Sequence, residues 1–128
     1  MIRNDTRSRT ELPLAEDLRL RRSSRVLEVR FVDGAEFSLP FEYLRVFSPS
    51  AEVRGHGGGE PTLVTGKQDV DIERVEPVGQ YAVRLCFDDG HRTGIYSWAV
   101  LYELGRDYAE NWRRYRERVT AAEPEASS

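Results

Sequence analysis

The sequence is short of several things at once. Cys86 is its only cysteine, so no disulfide can close within the chain and no all-cysteine zinc site can be built. A lone thiol favours a reducing compartment, and a cytoplasmic location is expected. Lys67 is the only lysine among 19 basic residues, and His56 and His91 are the only histidines. No apolar run approaches the roughly 20 residues that a membrane-spanning helix needs, so no membrane association is expected. The first ten residues are polar and arginine-rich, without the apolar stretch of a secretory signal. Nor is there an excess of either charge. A net charge of -3 excludes nucleic-acid binding driven by bulk charge.

What is present fits one packed domain: 128 residues, 39% of them hydrophobic. Residues 1–16 are polar and read as a flexible segment, with Leu12 and Leu14 as anchors. Residues 17–120 read as the domain. Residues 121–128, rich in small residues and Glu, read as a disordered tail.

Two stretches alternate with period two. Leu27, Val29 and Phe31 alternate with Glu28 and Arg30, and Ala35, Phe37 and Leu39 alternate with Glu36 and Ser38. Asp33-Gly34 turns between them. A two-residue turn would set Phe31 against Glu36. A three-residue loop with Gly34 left-handed sets Phe31 against Ala35, Val29 against Phe37 and Leu27 against Leu39, so every pair is apolar. The same loop at Asp89-Gly90 pairs Phe87 with His91, Leu85 with Thr93 and Val83 with Ile95. His91 then faces inward, and Cys86 lies half-buried on the other face with Arg84.

Each hairpin runs into a short helix. Pro40 starts one over Phe41–Arg45. Ser97 caps another, which Gly105 ends. Ser48, Pro49 and Gly55 bound a helix over residues 50–54, and His56 opens a glycine-rich loop. A strand is expected over Val70–Val75. Asp107 caps a last helix with Tyr108, Trp112, Tyr115 and Val119 on one face. The fold class is therefore α+β, with antiparallel hairpins forming a small sheet and a C-terminal helix packed on it.

Few of the sequence's residues form a motif that carries chemistry. Gly66-Lys67 lacks the earlier glycine and the following Ser or Thr of a phosphate loop. Neither histidine has a carboxylate two residues on, as an iron site of two histidines and one carboxylate needs. Ser48, Ser50, Asp89 and His91 are the residue types of a hydrolytic triad, but no nucleophile elbow surrounds either serine, and helix capping accounts for both. Cys86 has Arg84 as its only apparent activator. The arginines of the last helix read as the solvated side of a packed stripe, so nucleic acid is not an expected partner.

Several segments in order do resemble a known family. They are the run from Leu44 to Gly57 (LRVFSPSAEVRGHG), Gly66-Lys67, Ile72 to Gly79, Phe87 to Trp98 (FDDGHRTGIYSW) and Leu101 to Gly105 (LYELG). Together they resemble the domain-of-unknown-function 971 family, which is similar to the N-terminal domain of gamma-butyrobetaine hydroxylase and trimethyllysine hydroxylase. In those hydroxylases the domain holds a structural zinc through three cysteines, in the pattern Leu-Arg-x-x-Cys-x-Cys-x-x-Cys, and one histidine. Laid on Leu44-Arg45, the cysteine positions here are Ser48, Ser50 and Val53, and the histidine corresponds to His91. Three of four ligands are gone, so no metal and no cofactor are expected.

The resemblance further implies an accessory role beside P-loop ATPases that carry iron–sulfur clusters. The reading is a non-catalytic binding or adaptor module, accessory to iron–sulfur cluster assembly or to iron-dependent proteins, with a protein partner such as an iron–sulfur carrier ATPase. The rival is a metal-binding component or enzyme using His56, His91 and nearby carboxylates. Ser48, Ser50, His56, Asp89 and His91 are the candidate site, and Gly34 and Gly90 the structural turns.

Overall fold

The structure, a computed structural model, describes residues 13–50 and 63–122. In chain order the elements are β1 (Ala15–Arg21), β2 (Val26–Phe31), β3 (Glu36–Pro40), α1 (Phe41–Val46), β4 (Ile72–Val78), β5 (Ala82–Phe87), β6 (Ile95–Ser97), α2 (Trp98–Arg106) and α3 (Tyr108–Ala122). Two three-stranded antiparallel sheets, β1-β2-β3 and β4-β5-β6, combine with the helices into an α+β fold.

The first hairpin has the expected register. Leu27 faces Leu39 and Val29 faces Phe37. The Phe31 amide donates to the Ala35 carbonyl at 2.8 Å. Gly34 and Gly90 have φ of +94° and +93°, the left-handed conformation that the odd loops demand and that glycine adopts without steric cost. The inward residues Leu27, Val29, Phe31, Leu39 and Phe41 join Ile72, Leu85, Phe87 and Leu101 in one core.

The second hairpin departs from expectation after its turn. Phe87 still pairs with His91, its amide donating to the His91 carbonyl at 3.0 Å. The Leu85 amide, however, goes to Gly94 at 3.2 Å rather than to Thr93. Val83 then faces Tyr96, and Ile95 lies opposite Arg84. One additional residue is accommodated around Thr93-Gly94. It turns Ile95 outward, at 42% exposure, and seats the Tyr96 ring in the core at 0%. The exchange favours the larger ring, because the Tyr96 hydroxyl donates to the Leu44 carbonyl at 2.5 Å and is not left unpaired.

Other boundaries moved for local reasons. β1 has no counterpart among the expected elements, and Ala15 and Glu16, expected in the flexible segment, are its first two residues. A bulge between Ala15 and Asp17 interrupts its alternation. β4 begins later than expected and continues through Pro77, which an edge strand tolerates. Pro40 is the cap of α1 rather than its first helical residue. Gly105 does not end α2, which runs on to Arg106. Nor does the Asp107 carboxylate cap α3; it takes both Arg106 Nε and Nη2, each at 2.9 Å. Cys86 is buried outright, at 1%, with Arg74 Nη2 at 3.8 Å from its sulfur. The helix expected over residues 50–54, His56 and its glycine loop lie outside the described residues.

The sheets are joined at one end by the β1–β2 turn. Arg25 sits at φ +58°, unusual for a side chain with a Cβ. Its Nη1 donates to the carbonyls of Asp69 and Val70, at 2.9 and 3.1 Å. On the far side, α3 packs Tyr108, Trp112 and Tyr115 around Tyr43 and Phe47. The Tyr43 ring meets those of Tyr108 and Trp112 edge to face, at 4.8 and 5.4 Å, and Phe47 lies 6.2 Å from Tyr115. Tyr43 itself donates to the Leu104 carbonyl at 2.6 Å and accepts from Asn111 at 3.1 Å. Burial pushes its phenol up to about 12, against the opposing pull of the Asn111 hydrogen bond. Among the described residues no helix is long and apolar enough to cross a membrane.

Candidate functional site

The chain leaves α1 through Phe47 and continues through Ser48, Pro49 and Ser50. Across from it, the Gly90 turn delivers His91 and Thr93. Ser48 Oγ and His91 Nε2 share a hydrogen bond at 2.9 Å, and Ser50 Oγ and Thr93 Oγ1 share one at 2.6 Å. The Ser50 amide also donates to Ser48 Oγ at 3.2 Å. Ser48 is 0% exposed and His91 5%. Tyr96 closes the cluster from β6. Burial pushes its phenol well above the usual range, and a hydrogen bond with Ser48 works against that shift.

Asp89 ties the turn to both neighbouring segments. Its Oδ1 accepts the His91 amide at 3.1 Å. Its Oδ2 accepts Arg45 Nε at 2.8 Å and Lys67 Nζ at 2.7 Å. Arg45 Nη1 is buried without a hydrogen-bond partner, so Nε carries the contact that holds this guanidinium. Burial alone would raise the Asp89 carboxyl. The hydrogen bonds from Lys67, the His91 amide and Arg45 outweigh it and bring the group down from 3.8 to about 2.

A carboxylate held low in the folded state contributes stability above its unfolded value and loses it as pH falls through the folded one. The Asp89 contribution is therefore complete above about pH 5, falls progressively below that, and is gone only by about pH 1, below both values. Urea midpoints measured across that range should fall more steeply for the native chain than for Asp89→Asn, and the two curves should converge at the acid end. Parallel curves would show that the Lys67 and Arg45 contacts contribute nothing.

Four of the five candidate residues are thus described, and Ser48, Ser50, Asp89 and His91 meet in one place; His56 lies outside the described residues. The sequence reading missed Arg45, Lys67, Thr93 and Tyr96. Lys67 alone carried a signal, as the only lysine, but nothing in the sequence pointed it at Asp89.

The serine and histidine are a nucleophile and a base by type only. Ser48 is sealed from solvent, and its oxygen already serves His91 and the Ser50 amide. A buried hydroxyl engaged in this way holds structure together; it offers no approach to a carbonyl carbon. Zinc does not fit either. Zinc takes thiolate, imidazole or carboxylate donors, whereas this cluster supplies hydroxyls, one imidazole nitrogen already engaged with Ser48, and one carboxylate already held by Arg45 and Lys67. Among the described residues no group of three His, Cys, Asp or Glu side chains could hold a metal ion.

Beyond the cluster, a groove of about 610 Å³ is lined by Phe47, Val64 and Leu104, with Glu103, Arg114 and Arg118 among its polar residues. Arg114 is 63% exposed, and its ion-pair contact with Glu110 is a long one, 4.0 Å.

The sequence profile described as gamma-butyrobetaine hydroxylase-like, N-terminal, matches residues 18–102. A protein solved by NMR in solution is 51% identical, with a TM-score of 0.78 over 89% of this chain and 85% of that one. A second NMR structure is 41% identical, with a TM-score of 0.75 over 88% of each chain. A crystal structure from Acidithiobacillus ferrooxidans ATCC 23270, of a protein of unknown function in the DUF971 family, is 43% identical. Its TM-score is 0.60 over 71% of this chain and 91% of that one. No curated protein matches the sequence.

Proposed function

We propose, on the premise that this chain belongs to the gamma-butyrobetaine hydroxylase-like N-terminal (DUF971) family, that it is a non-catalytic binding module whose partner is a protein of iron–sulfur cluster assembly. The observation that carries the non-catalytic half is the state of the polar cluster. Ser48 and His91 are bonded to each other out of reach of solvent, and Asp89 is neutralised by Arg45 and Lys67. Residues spent on one another in this way are not available to a substrate.

The binding half rests on the groove beside α3, which combines apolar lining residues with charges of both signs. Buried apolar contacts supply most of the affinity of such a surface, and the charges select the partner. Calorimetric titration of an iron–sulfur carrier ATPase into the purified chain tests the reading. Saturable heat is expected, and Arg114→Glu should weaken binding about tenfold, the equivalent of ~1.4 kcal/mol. No heat at about 100 μM of either protein, a range that would detect even weak complexes, would remove this partner. Full-strength binding by Arg114→Glu would remove the groove.

A further inference from the structure

The cluster does not fit zinc, yet it ties together two segments far apart in sequence. We infer that a metal-free hydrogen-bonded joint stands where a metal cross-link would stand and does the same mechanical work, so that this chain reaches its fold without metal.

The joint has a regular geometry. Ser48 bonds to His91 and Ser50 bonds to Thr93, each across 43 positions of sequence. The residues are spaced by two on both sides, so residues 48–50 and 91–93 meet in the same chain order. The two bonds are successive rungs between them. The residue between the rungs on the second segment, Arg92, is exposed and meets Glu73 at 3.4 Å.

Four metal ligands would have to converge on one point. Here four side chains pair off two by two. The Ser48–His91 separation of 2.9 Å is a hydrogen-bond distance. Two ligands on one tetrahedral zinc would stand about 3.5 Å apart, given its bond lengths. The Asp89 carboxylate adds a third tie below the rungs, through the His91 amide and Arg45. Gly94 lets the segments close, since a Cβ there would lie 2.6 Å from Ser48 Oγ.

Three measurements bear on the joint, all on the full chain purified without a histidine tag. Elemental analysis should find far less than one zinc per chain, and the melting temperature should not move when a chelator is added. Stoichiometric zinc, or a chelator-dependent fall, overturns the inference. Ser48→Ala and His91→Gln should each lower the melting temperature by several degrees, and the double variant should fall no further than the worse single one. Fully additive falls would mean the two side chains do not act through each other. The outer pair, Ser50→Ala with Thr93→Ala, gives the same reading should the inner variants fail to fold. Finally, Ser48→Cys/Ser50→Cys restores two thiolates beside His91. That variant should acquire the visible absorption of thiolate-bound cobalt(II) when cobalt is added, while the native chain stays colourless. A colourless double variant would show that the rungs do not occupy a metal's position.

Discussion

Replacing Gly105 by Ala should lower the melting temperature of this protein by roughly 10 °C or more. The sign is opposite to the usual one. A glycine within a helix ordinarily costs about 1 kcal/mol relative to alanine, so the substitution would normally stabilise. Here the added Cβ would lie 2.2 Å from Cγ of Phe37 and 2.5 Å from Cδ2, inside the root of the ring rather than at a movable tip. Phe37 is itself fixed, edge to face with Phe31 at 5.9 Å and with Tyr102 at 5.5 Å. Relief requires either α2 or β3 to shift, and overpacking of this kind costs about 3 kcal/mol. Thermal unfolding followed by circular dichroism reads the effect directly. Gly105→Ala combined with Phe37→Ala should recover part of the loss. A single variant as stable as the native chain would mean that α2 and β3 are not held at this distance.

The second large effect is expected at Gly94. Alanine there would place its Cβ 2.6 Å from Ser48 Oγ and 3.0 Å from the Tyr96 ring. The ring cannot retreat without giving up its hydrogen bond to Leu44. The hydroxyl would have to leave His91, breaking a buried hydrogen bond. A destabilisation of about 2 kcal/mol follows. Because the clash and the hydrogen bond share one oxygen, Ser48→Ala should hurt much less in the Gly94→Ala background than in the native one. Chemical denaturation of the four chains in that cycle measures the coupling, and additive losses would contradict the contact.

These two glycines also mark where the sequence could be read and where it could not. The turns at Gly34 and Gly90 were legible because their signal is local. An Asp-Gly pair between alternating strands, with the requirement that apolar residues meet, leaves one register. Gly105 has the look of a helix stop by the same local logic, and the logic fails because its reason is Phe37, 68 positions earlier. The slip at Thr93-Gly94 was hidden in the same way. Nothing near Ile95 says that Tyr96 will have a carbonyl waiting at Leu44. β1 was lost to charge and to its bulge, which left Leu18 and Leu20 as the only clear alternation.

For the site, the inward position of His91 followed from register, and its nearness to Ser48 came from the family resemblance. The partners that complete the cluster, Arg45, Lys67 and Thr93, each join it across about 20 to 45 residues of chain by contacts that no spacing rule encodes.

Lys67 has one more consequence. It is the only lysine in the sequence, and its ammonium rests against Asp89. Amine-directed reagents therefore have one side chain to find, and it is inside the charged cluster. Acylation would remove a positive charge from beside a carboxylate that depends on it, so labelling and loosening are the same event. The rate at which that single amine reacts counts how often the ion pair opens. The protein thus carries its own reporter at the place where residues 63–71 meet the second hairpin, with no label to engineer.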